Sequence, residues 1–438
     1  MRADRLAASI VALSLGWTVP ARAQAPVTSS PDARDDGFDL GDAIRAARDH
    51  PRVAPARSRL RASEHDVAAA GRWTNPQIGV NYMRSFGFTT FDPEVGVPQV
   101  GVTQFIETAG APARRRRVAA RERDAARLEV DLARRSVELS VATAFIRLAV
   151  ATARRATLRD SLARTERLVS LVGTRVASGS APDYERARVA LARADAEAEL
   201  GDAEAEVIAA RGALDVAVGP GAERLRGEAR MRLREGPTLP PLDALIERLD
   251  ATRIDLRIAD ARAQAARLRV DVARAEVLPG FALYGGLLAG QGFGERGQRQ
   301  IDAMVGITVP LPVVNTGQDA IRAAEARASA ARESAEADRI EARTRARSAW
   351  LEAQRRRDAL DAFLQTEGEQ ERLVRETAAA YREGRVSLQA LLDAHDAVRD
   401  AQLRAVELAG AAREADARLW ESVGEVLAPG AGRLEERP

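Results

Sequence analysis

The sequence predicts an α+β fold in which long coiled-coil helices are combined with four β-strands, written as an internal tandem repeat. Three observations support this prediction. Only 4% of the 438 residues are aromatic, and a chain rich in Ala, Arg and Glu is typical of long helices packed through small side chains. Similar segments recur at a constant offset of 205 residues. Short runs with alternating hydrophobicity interrupt the helical patterns.

Residues 1–23 are predicted to be a signal peptide. Arg2 and Arg5 precede the apolar stretch 6–19, and residues 21–23, Ala-Arg-Ala, have the small-x-small pattern of a cleavage site. No later segment is predicted to form a transmembrane helix. If the mature chain enters a membrane, it is therefore expected to do so with strands.

Composition excludes several classes of protein. The chain has no Cys and three His, so neither a disulfide framework nor a Cys/His metal site is expected. It has no Lys, and its 66 Arg residues are balanced by 64 acidic residues, so there is no broad field to attract nucleic acid. Because no nucleophile elbow is present and the carboxylates are scattered along helix faces, neither an enzyme nor a cofactor is predicted.

The chain is predicted to consist of two structural repeats, 24–218 and 242–424, with a linker at 219–241 and a C-terminal tail at 425–438. The sequence VGVT at 100–103 recurs as VGIT at 305–308, and ERLV at 166–169 recurs unchanged at 371–374. Gly179 likewise corresponds to Gly384. A fixed offset of this kind indicates one structural unit used twice.

Each repeat is predicted to contain the same elements in the same order: an opening helix, a pair of strands, and a long helix followed by a shorter one. The opening helices are expected at about 40–73 and 242–277. The strand pairs are expected within about 77–106 (77–86 with 99–106) and 281–309 (281–288 with 302–309). The remaining helices are expected at about 111–218 and 318–423, the long ones running unbroken over 111–174 and 318–383, each on the order of 100 Å.

Four strands do not close a barrel, because membrane barrels need at least about eight. An open strand edge in lipid would leave backbone groups unsatisfied, so copies of the chain are expected to share one barrel. Two, three or four copies satisfy this argument equally. Gly101, Thr103, Gly306 and Thr308 alternate with the apolar strand residues and are expected to face a water-filled lumen.

Two other classes of protein stay open on these patterns. One is a periplasmic coiled-coil scaffold with a small soluble sheet, and the other is a surface adhesin or secretion accessory protein built on similar helices. Helices much longer than a small sheet can cover argue against an ordinary sheet packed on helices.

Over about 40–423 the sequence resembles the TolC family of outer-membrane efflux proteins. The two-repeat plan matches, and the segments at 101–104, 107–110, 175–179 and 309–312 resemble the heavy-metal-resistance (CzcC-like) branch. That branch usually shows an aromatic and an acidic residue after Pro-Leu-Pro, where this chain has VVNT at 313–316. Heavy-metal cations and drugs or other small organic compounds therefore both stay open as substrates.

The resemblance implies a homotrimer in the outer membrane of a Gram-negative bacterium, with a shared 12-stranded barrel continued by a helical tunnel through the periplasm. The linker at 219–241 is then expected in the periplasmic equatorial region. The implied function is passive conduction to the exterior, as the channel component of a tripartite efflux pump. Its partners are expected to be outer-membrane lipid, a periplasmic adaptor (membrane fusion) protein and an inner-membrane pump of the RND type.

The helix-to-helix turns near 178–183 and 383–387 occupy equivalent repeat positions, farthest from the strands. In the family such turns meet the adaptor, and an alternative is that the two glycines simply cap helices. The adaptor-contact candidates are Gly179, Ser180, Ala181, Gly384, Val386 and Ser387.

The segment from 381 onward resembles the one that closes the pore entrance in TolC-like channels. Tyr381 and Asp393 fall on matching positions, whereas the position of the gate arginine holds Val386, with Arg385 one residue before it. These pore-gate candidates predict an acidic ring of Asp393 that favours cations, against the alternative of a solvated helix-face carboxylate. His395, one turn away, is predicted to fill a seam position, with pH sensing or metal contact as the alternative.

Two further motifs are interpreted by their context. The arginine run at 114–117 lies between a strand and a long helix in a secreted chain, so a solvated interfacial face is favoured over a nucleic-acid patch. The GxGxxG pattern at 292–297 is followed by a strand where a dinucleotide site needs a helix, so it is predicted to be a hairpin loop. This loop and the paired one at 87–98 are expected to face outside the cell.

Overall fold

Two repeats of helices and strands make up the part of the chain that the computed structural model describes, residues 37–84, 96–278, 280–291, 299–313 and 316–425. The predicted signal peptide, the GxGxxG segment at 292–297, most of the loop 87–98 and most of the C-terminal tail lie outside these residues. The first repeat contains α1 (Leu40–Ala46), α2 (Ala54–Ala70), β1 (Gln77–Arg84), β2 (Gly96–Ile106), α3 (Ala111–Ala177) and α4 (Asp183–Val218). The second contains α5 (Leu242–Thr252), α6 (Ile254–Glu276), β3 (Phe281–Gln291), β4 (Arg299–Thr308), α7 (Gln318–Leu364), α8 (Glu367–Arg382) and α9 (Leu388–Ser422).

The opening helix of each repeat is interrupted, so the expectation of one continuous helix there was wrong. In the first repeat His50 is extended, and its Nδ1 accepts from the backbone N–H of Arg52 to start the short 3-10 helix Pro51–Val53. A residue before proline is pushed out of the helical region, which explains the break. In the second repeat Arg253 is extended, and its Nη1 donates to the carbonyl of Ser422 at 3.0 Å.

The long helices differ between the repeats. α3 is unbroken over 67 residues, on the order of 100 Å. The corresponding helix of the second repeat ends at Leu364 and resumes as α8, which contradicts the expected unbroken run 318–383. The hydroxyl of Thr366 donates to the carbonyl of Phe363 at 2.8 Å, and such a local bond competes with the helical backbone pattern.

The helices pack through alanine seams, as a coiled coil rich in small residues should. On α7, Ala335, Ala342, Ala346, Ala353 and Leu360 are buried, at steps of seven and four residues. Larger side chains pack beside the start of α1, where the rings of Phe38 and Phe145 meet edge to face with their centroids 5.9 Å apart. The long helices therefore meet with little aromatic bulk, in agreement with the composition.

α3 is long and apolar enough over an 18-residue window to cross a membrane by length and composition, and half of that window is buried inside the protein. Length and composition alone do not show that α3 crosses a membrane, because the core helix of a folded protein meets the same criteria. The buried residues include Val141, Phe145 and Ile146. Because these side chains pack against neighbouring elements of the chain, the apolar character of α3 is explained by core packing.

The four strands form one antiparallel sheet in the order β1-β2-β3-β4. Both expected strand pairs are present, and β2 also pairs with β3, so that the two repeats share one sheet. In this register Ile78 lies opposite Val102, Val102 opposite Gly285, and Gly285 opposite Val305. These four residues therefore share one face, which we call the apolar face.

The apolar face is exposed along all four strands. It presents large apolar side chains that are 45–86% exposed: Ile78, Val80, Tyr82, Val100, Val102, Leu283, Leu287, Ile301, Val305 and Ile307. The opposite face holds Gly101, Thr103, Gly306 and Thr308, as the alternation predicted. There the amide of Gln99 also donates to the hydroxyl of Tyr284. The sheet thus separates an apolar surface from a mixed one, which carries glycine and threonine beside Phe105 and Met304.

A strap of linker residues, 225–241, is fastened to the helices by arginine and tryptophan side chains. Arg211 of α4 donates to the carbonyls of Leu225 and Gly227. Trp350 of α7 donates through Nε1 to the carbonyl of Pro240 at 3.0 Å. The linker, which the sequence predicted to be irregular, is therefore attached to the helices near both of its ends.

The centre of the strap lies on a charged triad that consists of the half-buried Arg357 and the buried Arg413 and Asp416. The Asp416 carboxylate is fully buried, and its oxygens lie 2.6 Å from Arg357 Nη2 and 2.9 Å from Arg413 Nη1. Arg413 Nη1 also donates to the carbonyl of Glu235, and Arg357 Nη1 to that of Pro237. Burial raises the pKa of Asp416, and the two guanidinium groups oppose that rise.

Candidate functional site

The turns that join the long helices, α3–α4 and α8–α9, have the same backbone geometry. Gly179 and Gly384 have φ of 71° and 73°, the left-handed region that favours glycine. After α3 the Gly179 N–H donates to the Val176 carbonyl at 3.0 Å, and the Ser180 N–H to the Arg175 carbonyl at 2.8 Å. The turn after α8 repeats both bonds at 3.0 and 2.8 Å. Both glycines therefore cap a helix in a Schellman motif, at equivalent positions of the two repeats.

The two turns are tied to each other by Arg175 of α3. Its Nη1 donates to the carbonyl of Tyr381 at 2.7 Å, and its Nη2 to that of Ser180 at 3.1 Å. The guanidinium carbon also lies 4.5 Å from the centroid of the Tyr381 ring, within the range of a cation–π contact. One side chain of the first repeat therefore holds the turn of the second.

Tyr381 completes this tie from the second repeat. Its hydroxyl donates to Glu185 Oε2 of α4 at 2.6 Å, and its ring is buried beside Leu168, Val172 and Leu388. Burial, followed by the hydrogen bond to Glu185, raises the pKa of Tyr381 to about 12. The phenol therefore stays protonated and acts as a donor at physiological pH. We call Arg175, Tyr381 and Glu185 the tip clasp.

Replacing Tyr381 with phenylalanine is expected to loosen the tip clasp. The change removes a hydrogen bond to a charged acceptor and should lower the free energy of unfolding by about 1–3 kcal/mol. Denaturant titration measures the loss, and hydrogen exchange in residues 176–185 should rise with it. Tyr184→Phe is the matched control, because Tyr184 lies next to Glu185 on α4 and is 68% exposed. Equal effects of the two substitutions would contradict the role given to Tyr381.

The remaining predicted residues lie around these turns. Gly179, Ser180, Gly384 and Ser387 are exposed, and Ala181 and Val386 are half-buried. The Ser387 hydroxyl caps α9 by accepting from the Ala390 N–H at 3.3 Å. The capping interpretation of both glycines is consistent with this geometry, and the adaptor contact stays a prediction.

Of the three pore-gate candidates, only Tyr381 is buried. Arg385 is exposed and pairs with Glu383 two residues before it. Asp393 is exposed on α9 and accepts from the amide of Gln389. In the described residues of one chain these three side chains are not joined to one another. Sequence reasoning missed Arg175 and Glu185 as partners of Tyr381, because they lie 206 and 196 residues away.

Asp393 belongs to a row of carboxylates on α9 that continues through Asp396 and Asp400. Arg399 lies among them, 3.2 Å from Asp396 and 3.5 Å from Glu199 of α4. Burial raises the pKa of Asp396; Arg399 opposes this rise, and the carboxylates of Asp400, Asp393 and Asp195 add to it. The surface near Asp393 is therefore acidic.

His395 fills a seam position, as its spacing predicted. Its Nε2 is buried without a hydrogen-bond partner within the described chain. Burial, and then the positive charges of Arg164 and Arg167 on α3, lower the pKa of His395. The imidazole is therefore neutral at physiological pH. Among the described residues, no group of three or more His, Asp or Glu side chains is arranged to hold a metal ion.

His395 is expected to make stability depend on pH. Because its folded pKa is depressed, folded His395 stays neutral while unfolded His395 takes up a proton as the pH falls below about 6.5. The free energy of unfolding should therefore decrease from pH 7.5 to pH 5.5. Denaturant midpoints of the wild type and of His395→Leu test this, and the variant should lose part of the pH dependence. The control, the exposed His65→Gln, should keep all of it. A variant that retained the full pH dependence would exclude His395 as its source.

The chain matches the model of one protein family, described as outer membrane efflux protein, over residues 44–220 and 245–425. No curated protein matches the sequence. Among solved structures, the outer membrane protein VceC of Vibrio cholerae is 21% identical with a TM-score of 0.68, covering 89% of this chain and 97% of its own. The open-state MtrE outer membrane channel of Neisseria gonorrhoeae is 19% identical with a TM-score of 0.70, covering 88% and 89%. The CmeC outer membrane channel of Campylobacter jejuni is 15% identical with a TM-score of 0.67, covering 88% and 85%.

Proposed function

This chain belongs to the outer membrane efflux protein family, and we propose that it is the outer-membrane channel of a tripartite efflux pump, conducting substrates passively from the periplasm or the inner-membrane pump to the exterior. The observation that supports this most directly is the sheet. Its apolar face is exposed on every strand, while its other face carries Gly101, Thr103, Gly306 and Thr308 beside Phe105 and Met304. A lipid-facing surface backed by a water-filled lumen requires this separation.

We propose a homotrimer that closes a 12-stranded barrel. Within the described residues β1 and β4 are the two edges of the sheet, so each has one row of backbone groups without a strand partner. Pairing β1 of one copy with β4 of the next would satisfy both rows, and three copies of four strands give twelve. The helices also support association, since α4 exposes Leu191, Ile208 and Val216, and α7 exposes Ile340 and Leu351.

The tunnel continues along α3, whose end lies on the order of 100 Å from the sheet along the helix axis. We propose that the turns there contact a periplasmic adaptor through Gly179, Ser180, Ala181, Gly384, Val386 and Ser387. An inner-membrane pump of the RND type would supply the energy, since passive conduction needs none from the channel itself. The tip clasp would then set how far the helix pairs separate at the entrance.

The acidic row on α9 supports a preference for cations. Three copies of Asp393 near the entrance would form a ring of negative charge at a narrow mouth. Single-channel recording in planar bilayers tests the function directly: the purified oligomer should conduct and should prefer cations. A well-folded oligomer without conductance, or a protein released from membranes by salt without detergent, would favour the periplasmic scaffold instead.

Asp393→Asn is expected to reduce the cation preference, measured as a shift of the reversal potential in a salt gradient. The exposed Asp338→Asn on α7 is the matched control, which removes one carboxylate per chain far from the turns and should leave the reversal potential unchanged. An Asp393→Asn channel with unchanged cation preference would remove Asp393 from the gate.

The substrate class is either heavy-metal cations or drugs and other small organic compounds. The family resemblance near residues 309–312 favours metals, while the VVNT sequence at 313–316 departs from the metal branch. Growth of a deletion strain on zinc, cobalt, cadmium and copper, beside a drug panel, separates the two. Sensitivity to metals alone would support the first, and sensitivity to drugs alone the second.

A further inference from the structure

All four strands meet their helices at one end of the sheet, which we call the junction end. The register places Gln77 opposite Thr103, Ile106 opposite Phe281, and Ala282 opposite Thr308. The segments that follow or precede these residues therefore lie side by side. Gln104 Nε2, for example, donates to the carbonyl of Thr74 at 2.9 Å.

Large apolar side chains are exposed at the junction end. Trp73 is 54% exposed, Leu278 57%, Leu311 73% and Val313 81%. They lie on the segments that join the strands to the helices. Tryptophan is typical of membrane–water interfaces, where its ring lies at the level of the headgroups. The junction end therefore has the features of the boundary between hydrocarbon and water.

Arginines lie beside these four apolar residues, which we call the apolar rim. Arg72 lies two residues after the end of α2, and Arg116 and Arg117 lie in the second turn of α3; all three are exposed. Arg116 packs against Gly71, where an added Cβ would lie 3.2 Å from its Cδ, so Arg116 and Arg72 are neighbours. Arg115 is neutralised by Glu107 at 2.6 Å.

The other three arginines lack such neutralisation. Within the described part of the chain, Arg72, Arg116 and Arg117 have no carboxylate within 4.0 Å. The tandem repeat does not explain the cluster either. At the offset of 205 residues, Arg114 and Arg117 correspond to Asp319 and Arg322 of the second repeat, which pair with each other at 3.5 Å. The first repeat therefore concentrates positive charge where the second balances it.

We propose that Arg72, Arg116 and Arg117 form a collar that binds the phosphate groups of anionic glycerophospholipids, in the leaflet nearest the helices. The inference rests on the proposed function, since it needs the sheet to lie in a membrane. Guanidinium groups bind phosphate oxygens through two parallel N–H donors, and their aliphatic stems can lie along the apolar rim while the charge stays at the headgroups. In a trimer the collar would encircle the channel with three such clusters.

The test compares the binding of phosphatidylglycerol and phosphatidylcholine to the full-length oligomer in neutral detergent. The wild type should prefer phosphatidylglycerol. The double substitution Arg116→Gln/Arg117→Gln should weaken phosphatidylglycerol binding about thirtyfold, because each arginine near an anionic headgroup contributes a factor of about five. Arg116→Lys/Arg117→Lys should keep most of the preference. The matched control, Arg355→Gln/Arg356→Gln, removes two adjacent exposed arginines from α7 and should change nothing.

The outcomes separate this inference from the channel itself. A wild type that conducts in bilayers but binds both lipids equally would overturn the collar and leave the channel intact. The same holds if the α7 control loses as much binding as the collar variant. A wild-type oligomer that neither inserts nor conducts would remove both proposals. Elution of every variant as the wild-type oligomer establishes that the substitutions leave the fold intact.

Discussion

Replacing Asp416 with asparagine is expected to lower the free energy of unfolding by about 3–5 kcal/mol, because it leaves the guanidinium groups of the buried Arg413 and the half-buried Arg357 without their carboxylate. Asp416 is 0% exposed and Arg413 is 2% exposed, so water cannot replace the lost partner. The strap should loosen as well, since Arg357 and Arg413 also hold the carbonyls of Pro237 and Glu235. Denaturant titration of the helical signal measures the loss, and proteolysis within 225–241 should become faster.

Glu352→Gln is the matched control for this substitution. Glu352 forms an ion pair with Arg418 at 2.9 Å, between helices of the same repeat, but both side chains are at least 42% exposed. Exposed pairs contribute about 0–1 kcal/mol, so the control should change stability little. If Asp416→Asn cost no more than Glu352→Gln, the triad would not anchor the strap.

Introducing arginine at Val80 is expected to prevent stable membrane assembly. Val80 is 77% exposed on the apolar face of β1. A positive charge on the lipid side of a barrel strand costs about 2–4 kcal/mol at the bilayer midplane and less toward the interfaces, and three copies would multiply the cost. The variant should show less heat-resistant oligomer and less protein in the detergent-extracted membrane fraction.

Asn81→Arg supplies the control, at the next residue of the same strand. Asn81 is exposed on the opposite face, which the proposal assigns to the lumen. Arginine there should be tolerated in assembly and should alter conductance instead. Loss of assembly from Asn81→Arg with normal assembly of Val80→Arg would mean that the two faces of the sheet are assigned the wrong way round.

The tip clasp joins α3, α4 and α8, whereas the charged triad joins α7 and α9. The clasp joins the two repeats at the turns, through Arg175 and Tyr381. The triad fastens the strap to α7 and α9 well before those turns. The interruption between α7 and α8, at residues 365–366, lies between Arg357 of the triad and Tyr381 of the clasp.

Local patterns were sufficient for much of the fold. The offset of 205 residues identified the repeat, and period-2 alternation assigned Ile78, Val80, Val305 and Ile307 to one strand face. Glycine at equivalent positions marked both turns. These features depend on neighbours within a few residues, or on comparing the chain with itself. The sequence by itself therefore determined the repeat, the types of element and the two-sided sheet.

The tertiary structure alone decided which distant residues meet. Pairing of β2 with β3, the contact of Arg175 with Tyr381, and the burial of Asp416 join residues between 59 and 206 positions apart. Neither spacing nor composition distinguishes Asp416 from the many exposed carboxylates on the same helices. The free-energy cost of removing a partner from Asp416, and the role of Asp416 in holding the strap, follow from desolvation of its carboxylate. That desolvation exists only once the helices and the strap have packed around it.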